Sequence, residues 1–380
     1  MFKNALKLLF LLPLLLLPSC ASDDPTLTES ETEIIPGGGE GGEVIGVYVL
    51  NEGNLGSNKC TLDYYSYADS AYIRNIYAEA NPTAVLELGD AGNDIAIHRG
   101  RLYIVVNGSH KVEVLDAFTA KRIGQVDISS PRNLAFRGDS VLVSSFVGGT
   151  PEANGSVVCF DANSLRILGQ CSVGVGPEEM VVADSLLYVA NSQNYGAGIM
   201  DNTLSVVNLN TLTKVGDIEV AVNLHHLRLD DFGNMWATSR GNYADQPSRL
   251  IRLAKGTDGS YAVAETLPYG CANLALGNGK LYFYDQTYDA NWNATYAFNY
   301  LQPTATGYND FRKSFISDGA TLTTPYCIAV QPSNGDIFIT DVKNYTSSGE
   351  LRCYSPSGTL KWKATTGDIP GHIAFLTRVK

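Results

Sequence analysis

Apolar and polar positions alternate with a period of two over most of this chain, and one short alternating stretch returns seven times behind a polar or turn-forming pair. Its occurrences are Asn93-Asp94-Ile95-Ala96-Ile97, Arg132-Asn133-Leu134-Ala135-Phe136, Glu178-Glu179-Met180-Val181-Val182, His225-His226-Leu227-Arg228-Leu229, Ala272-Asn273-Leu274-Ala275-Leu276, Tyr326-Cys327-Ile328-Ala329-Val330 and Gly371-His372-Ile373-Ala374-Phe375. Successive side chains on a strand point to opposite faces, so each repeat predicts a β-strand. Soon after comes a second strand led by a bulky residue, as in Leu102-Tyr103-Ile104-Val105, Leu187-Tyr188-Val189-Ala190, Met235-Trp236-Ala237-Thr238, Leu281-Tyr282-Phe283-Tyr284 and Ile337-Phe338-Ile339-Thr340. Turns such as Asp231-Phe232-Gly233-Asn234 and Gly277-Asn278-Gly279-Lys280 join the two, and their Gly and Asn residues supply the positive φ of tight hairpins. A third and a fourth strand then pair across another short turn, as in residues 203–207 and 214–218.

The repeats start 39 to 54 residues apart, the spacing of a four-stranded propeller blade and too long for a hexapeptide solenoid or a leucine-rich repeat. The expected fold is all-β, a seven-bladed β-propeller over residues 44–380. Its first blade is split. Residues 44–78 offer three strands, while the seventh repeat stands at the C-terminal end with no blade after it. The C-terminal strand is therefore expected to pair into the N-terminal blade and close the ring, which removes open sheet edges. A domain of about 335 residues has an ample core without disulfides.

Two segments precede the propeller. Lys3 and Lys7 lead into an apolar run too short to span a bilayer, followed by Leu17-Pro18-Ser19-Cys20. Residues 1–19 thus read as a lipoprotein signal peptide, with Cys20 as the lipidated N-terminus. Residues 20–43 are rich in Asp, Glu, Thr and Gly and read as a lipid-anchored flexible linker. Ser22-Asp23-Asp24 resembles the acidic export signal of surface lipoproteins in the Bacteroidetes, which implies the extracellular side of the outer membrane.

Composition narrows the partners. With 27 basic and 39 acidic residues the net charge is −12, which repels nucleic-acid phosphates and anionic lipid and leaves the N-terminal lipid as the membrane contact. Beyond Cys20 there are six cysteines; they are expected as buried free thiols, the alternative being one bridge between Cys159 and Cys171, which fall on paired strands of one hairpin. None of His98, His110, His225, His226 and His372 lies in a zinc-binding arrangement, and there is no nucleophile elbow. Hence no catalytic residue, metal site or cofactor is assigned, and the protein is expected not to be an enzyme. Arg137-Gly138-Asp139 sits in a hairpin turn, where Gly-Asp is turn chemistry.

The connections between second and third strands are long, at residues 51–60, 145–155, 191–202, 239–248, 285–293 and 341–349. Up-and-down strands place them on one face, where long loops on a rigid scaffold tend to bind ligands. They combine aromatic and amide residues, which suits a large, polar, partly flat ligand. Asp94, Asn133, Glu179, His226, Asn273, Cys327 and His372, which open the innermost strands, form an axial ring on the same face, with Arg132 and His225 aimed more toward the loops. The candidate ligand-binding residues are Asn51, Asn54, Arg132, Tyr195, His225, His226, Arg240, Tyr243, Trp292 and Tyr345.

Val47-Tyr48-Val49-Leu50-Asn51-Glu52-Gly53-Asn54, Tyr188-Val189-Ala190-Asn191-Ser192, Arg240-Gly241-Asn242-Tyr243 and Tyr354-Ser355-Pro356-Ser357-Gly358 resemble the YncE-like propeller lipoproteins of Bacteroidetes, which include cobamide-binding surface proteins of the BtuG type. The resemblance runs from Val44 to Phe375. It implies a surface lipoprotein that captures cobamides, the vitamin B12 class of corrinoids, and passes them to a TonB-dependent outer-membrane transporter. A surface propeller that binds a glycan or a protein, as an adhesin does, is the alternative.

Overall fold

The computed structural model describes residues 30–83, 87–146, 155–194, 196, 198–289, 291, 293–311 and 313–378. Cys20, the expected lipidation site, lies outside them. Seven antiparallel sheets form the blades, and the seven sequence repeats are their innermost strands: Gly92–His98, Pro131–Arg137, Pro177–Ala183, Leu224–Leu229, Asn273–Gly277, Pro325–Val330 and Pro370–Thr377. The last of these pairs antiparallel with Val44–Asn51, Phe375 opposite Val47, so the split first blade closes the ring as expected.

Each sheet buries both faces, and the second strand of a blade shows why. Along Arg101–Val106, Leu102, Ile104 and Val106 pack toward the first blade, while Tyr103 and Val105 pack toward the third. One hydrophobic cluster fills every seam between neighbouring blades. The bulky residues that lead the second strands, Tyr103, Tyr188, Trp236, Tyr282 and Phe338, are all buried there. At roughly 25 cal/mol per Å² of apolar surface, these seams hold the disc together. Cys60, Cys159, Cys171, Cys271 and Cys353 contribute to them as buried free thiols, and Cys327 is buried and free as well.

Three features depart from the sequence-based expectation. Within the segment assigned to the flexible linker, Glu31–Ile34 forms a fifth strand on the outer edge of the first blade, with Glu31 opposite Arg74. The chain then crosses to the seventh blade, where Gln331 Nε2 and Ser333 Oγ both donate to the Gly41 carbonyl at 2.8 Å. Composition marked this segment as unable to build a core, but an edge strand needs only a ladder to join. The second departure is a short helix, Ile76–Ala80, after the third of the first blade's N-terminal strands. The third is the sixth blade: Lys280–Tyr288 and Ala294–Thr304 stay paired to Tyr288 opposite Ala294, so part of the expected loop at 285–293 is a hairpin arm.

Candidate functional site

A local irregularity repeated around the ring builds the site. Where the innermost strands begin, pairing skips: register jumps from Gly92 to Asp94, Pro177 to Met180, Leu224 to Leu227 and Pro325 to Ile328. A bulge breaks the alternation of side chains, so two successive residues can face the same space. The ladder hydrogen bond lost there is replaced by a hydroxyl from the second strand. Asn133 N–H donates to Ser144 Oγ at 3.0 Å, His226 N–H to Thr238 Oγ1 at 3.0 Å and Cys327 N–H to Thr340 Oγ1 at 2.9 Å.

Asn93, Arg132, Glu179, Tyr326 and both His225 and His226 line an axial cavity of about 850 Å³ that opens on the long-loop face. Its floor is ionic. Glu179 accepts from the Leu227 backbone N–H at 2.9 Å, lies 2.8 Å from His226 Nδ1 and is bonded to Arg228, tying the fourth blade to the fifth. Burial opposes its charge, yet Arg228 and His226 outweigh burial and hold the carboxyl well below the usual range. Across the axis, His372 Nε2 meets Glu52 Oε1 at 3.1 Å, and Nδ1 lies 4.0 Å from Asp94. Burial disfavours the imidazolium there, but Glu52, Asp94 and Glu179 together raise its pKa. A side chain at Gly371 would meet the Glu52 carboxylate, which would have to move away from its place beside His372 to admit one.

The walls carry a second network. Glu178, 1% exposed, accepts two hydrogen bonds from Arg132 Nη2 at 2.9 and 3.1 Å and a third from Nε at 3.1 Å, and Arg240 Nη1 approaches it at 3.4 Å. The Arg132 guanidinium also lies 4.9 Å from the Phe146 ring centre. At the mouth stand Tyr243, Tyr288 and Tyr345, which are 66%, 56% and 43% exposed. Tyr243 and Tyr345 have positive φ, 59° and 63°, a conformation that costs a bulky residue energy.

Of the sequence candidates, the fold gathers Arg132, His225, His226, Arg240, Tyr243 and Tyr345 around this cavity. Asn51 is placed elsewhere: it is fully buried, with its amide donating to Thr61 Oγ1 at 3.0 Å. Asn54 braces the rim, its amide donating to the Tyr345 carbonyl at 2.7 Å. Tyr195 and Trp292 lie outside the described residues. Glu52, Glu178 and Tyr326 belong to the site but escaped sequence reasoning. Glu178 and Tyr326 occupy the same repeat position as Arg132 and His225, a signal the periodicity did contain. Glu52, which reaches in from a loop and accepts from the Tyr326 hydroxyl at 3.2 Å, had no such signal.

The chain belongs to a family described as a domain of unknown function, DUF5074, whose model matches residues 45–363. No curated protein matches the sequence. Among solved structures, a quinoprotein alcohol dehydrogenase-like protein from Bacteroides thetaiotaomicron superposes with a TM-score of 0.64 at 13% identity, over 88% of this chain and 79% of the other. A hypothetical selenium-binding protein from Sulfolobus tokodaii gives 0.61 at 11% identity, over 87% and 93%. Hydrazine synthase from Kuenenia stuttgartiensis gives 0.54 at 18%, over 69% and 76%. At such identities these likenesses establish the propeller fold and nothing about the ligand.

Proposed function

We propose that this propeller is a non-enzymatic binding protein that captures a corrinoid of the vitamin B12 class in its axial cavity. The observation that carries the reading is the cavity's make-up: about 850 Å³, with three exposed tyrosines at the mouth and arginine, histidine and amide groups beneath. That volume falls within the range typical of small-molecule sites. A corrinoid is a broad flat ring fringed with amides. Tyrosine rings suit its faces, while Gln246, Gln286 and Asn273 suit its fringe. The resemblance to YncE-like surface lipoproteins supports the same ligand class. With Cys20 lipidated at the outer membrane and the disc on the extracellular side, the protein would pass its ligand to a TonB-dependent transporter.

Calorimetry with cyanocobalamin tests the reading. The expected result is 1:1 binding with a nanomolar or tighter dissociation constant, about −12 kcal/mol. Tyr243→Ala should weaken it by about 2 kcal/mol, the level of a binding hot spot. The Tyr243 hydroxyl touches Gln193 at 3.4 Å and its ring is largely solvent-exposed, so truncation leaves the fold intact. A folded protein that binds no cobamide would overturn the corrinoid reading in favour of a glycan or protein ligand.

A further inference from the structure

The two adjacent histidines of the fifth blade share the cavity only because pairing skips from Leu224 to Leu227. Their situations differ. His226 is 7% exposed and built into the floor through Glu179 and Thr238. His225 is half-buried, lines the cavity and has no side-chain hydrogen-bond partner among the described residues. Its ring is held against that of His226, centroid to centroid 3.8 Å. Burial, helped by the nearby charges of Arg240 and Arg132, pushes its pKa well below the usual histidine value. Among the described residues nothing bonds its ring nitrogens, which leaves them to a molecule in the cavity.

Neutral imidazole is a good ligand for cobalt, iron, nickel, copper and zinc. Among the described residues no three His, Cys, Asp or Glu side chains converge to cage a bare ion. A single imidazole on a cavity wall instead suits a metal that arrives inside its own chelating ring and lacks one axial ligand. We propose that His225 ligates the metal of the bound molecule, its imidazole nitrogen taking an open axial position on the cobalt of a corrinoid. This rests on the corrinoid reading above. The cobalt–oxygen bond to an axial water breaks, a cobalt–nitrogen bond forms, the water leaves as a neutral molecule and the oxidation state of the metal is unchanged.

Aquocobalamin, whose axial water exchanges readily, and cyanocobalamin, whose cyanide is held firmly, separate the possibilities. On binding to the wild-type protein, aquocobalamin should show the change in visible absorption that accompanies replacement of water by imidazole, and should dissociate at least about tenfold more slowly than from His225→Ala. Cyanocobalamin should bind both proteins with little spectral change. His225→Gln, which keeps a polar group of similar reach, should behave like the alanine variant, with melting curves confirming that both are folded. Binding of both corrinoids with no spectral change for the aquo form, or a change that survives in both variants, would overturn the role of His225 alone. Failure of the folded wild-type protein to bind either corrinoid would overturn this inference together with the corrinoid reading.

Discussion

Replacing Glu179 by Gln keeps the shape of the side chain and an acceptor for the Leu227 N–H but removes the charge that His226 and Arg228 bond to. Hydrogen bonds to a charged group contribute about 1.5–3 kcal/mol each. The Arg228 side chain is 34% exposed, so water recovers part of its solvation once the carboxylate is gone, and the low end applies. The expected loss is about 3 kcal/mol, at the bottom of the range for breaking a buried pair. With an unfolding entropy of about 2.1 cal/mol/K per residue over roughly 350 residues, the melting temperature should fall by about 4 °C.

Acid titration sharpens the test. The Glu179 carboxyl is held well below its usual range, because Arg228 and His226 outweigh the burial that opposes its charge. A depressed carboxylate gives its full stabilisation above the unfolded value, about 4.3, and loses it as pH falls through the folded one. Between pH 7 and about 5 the gap between wild type and Glu179→Gln should hold or widen, because Glu179 also supports the charge on His372, and calorimetric melts of the two should converge in stronger acid. A variant that melts within a degree of wild type at pH 7, or a gap that does not narrow in strong acid, would refute the ionic bracing of the fourth and fifth blades.

Two further outcomes are expected. Truncation after residue 369 removes Pro370–Thr377, uncovers Val47 and Val49 and reopens the ring, so the shortened protein should aggregate or melt far below the intact chain; equal melting temperatures would disprove closure by this strand. Cys20→Ala should shift the protein from the membrane to the soluble fraction with the propeller still folded, and persistence in the membrane fraction would rule out the lipid anchor.

The repeats were legible because period-two alternation and turn chemistry are local: Tyr103, Trp236 and Phe338 had to be buried strand residues whatever surrounded them. The spacing of the repeats gave the blade count, and the orphan repeat at Gly371 gave the closure. Histidines 225 and 226 could be placed at the channel mouth for the same reason. Their neighbours could not. Glu52 meets His372 across 320 positions of sequence, and Glu178 gathers Arg132 and Arg240 from the third and fifth blades. Asn51, equally polar and at a strand end, turns out to satisfy Thr61 inside the first blade.

Alternation, turns and repeat spacing thus determined by themselves that this chain is a seven-bladed ring, since each depends on residues close in sequence. Which polar side chains bond one another and which face the cavity was decided only when the closed ring brought distant blades within a few ångströms. Hydrogen bonds and ion pairs depend on distance and orientation between those blades, and no local pattern encodes them. The bulges at the inner strand starts belong to both levels: the sequence set which two residues sit there, and the tertiary pairing turned His225 and His226 into the same space.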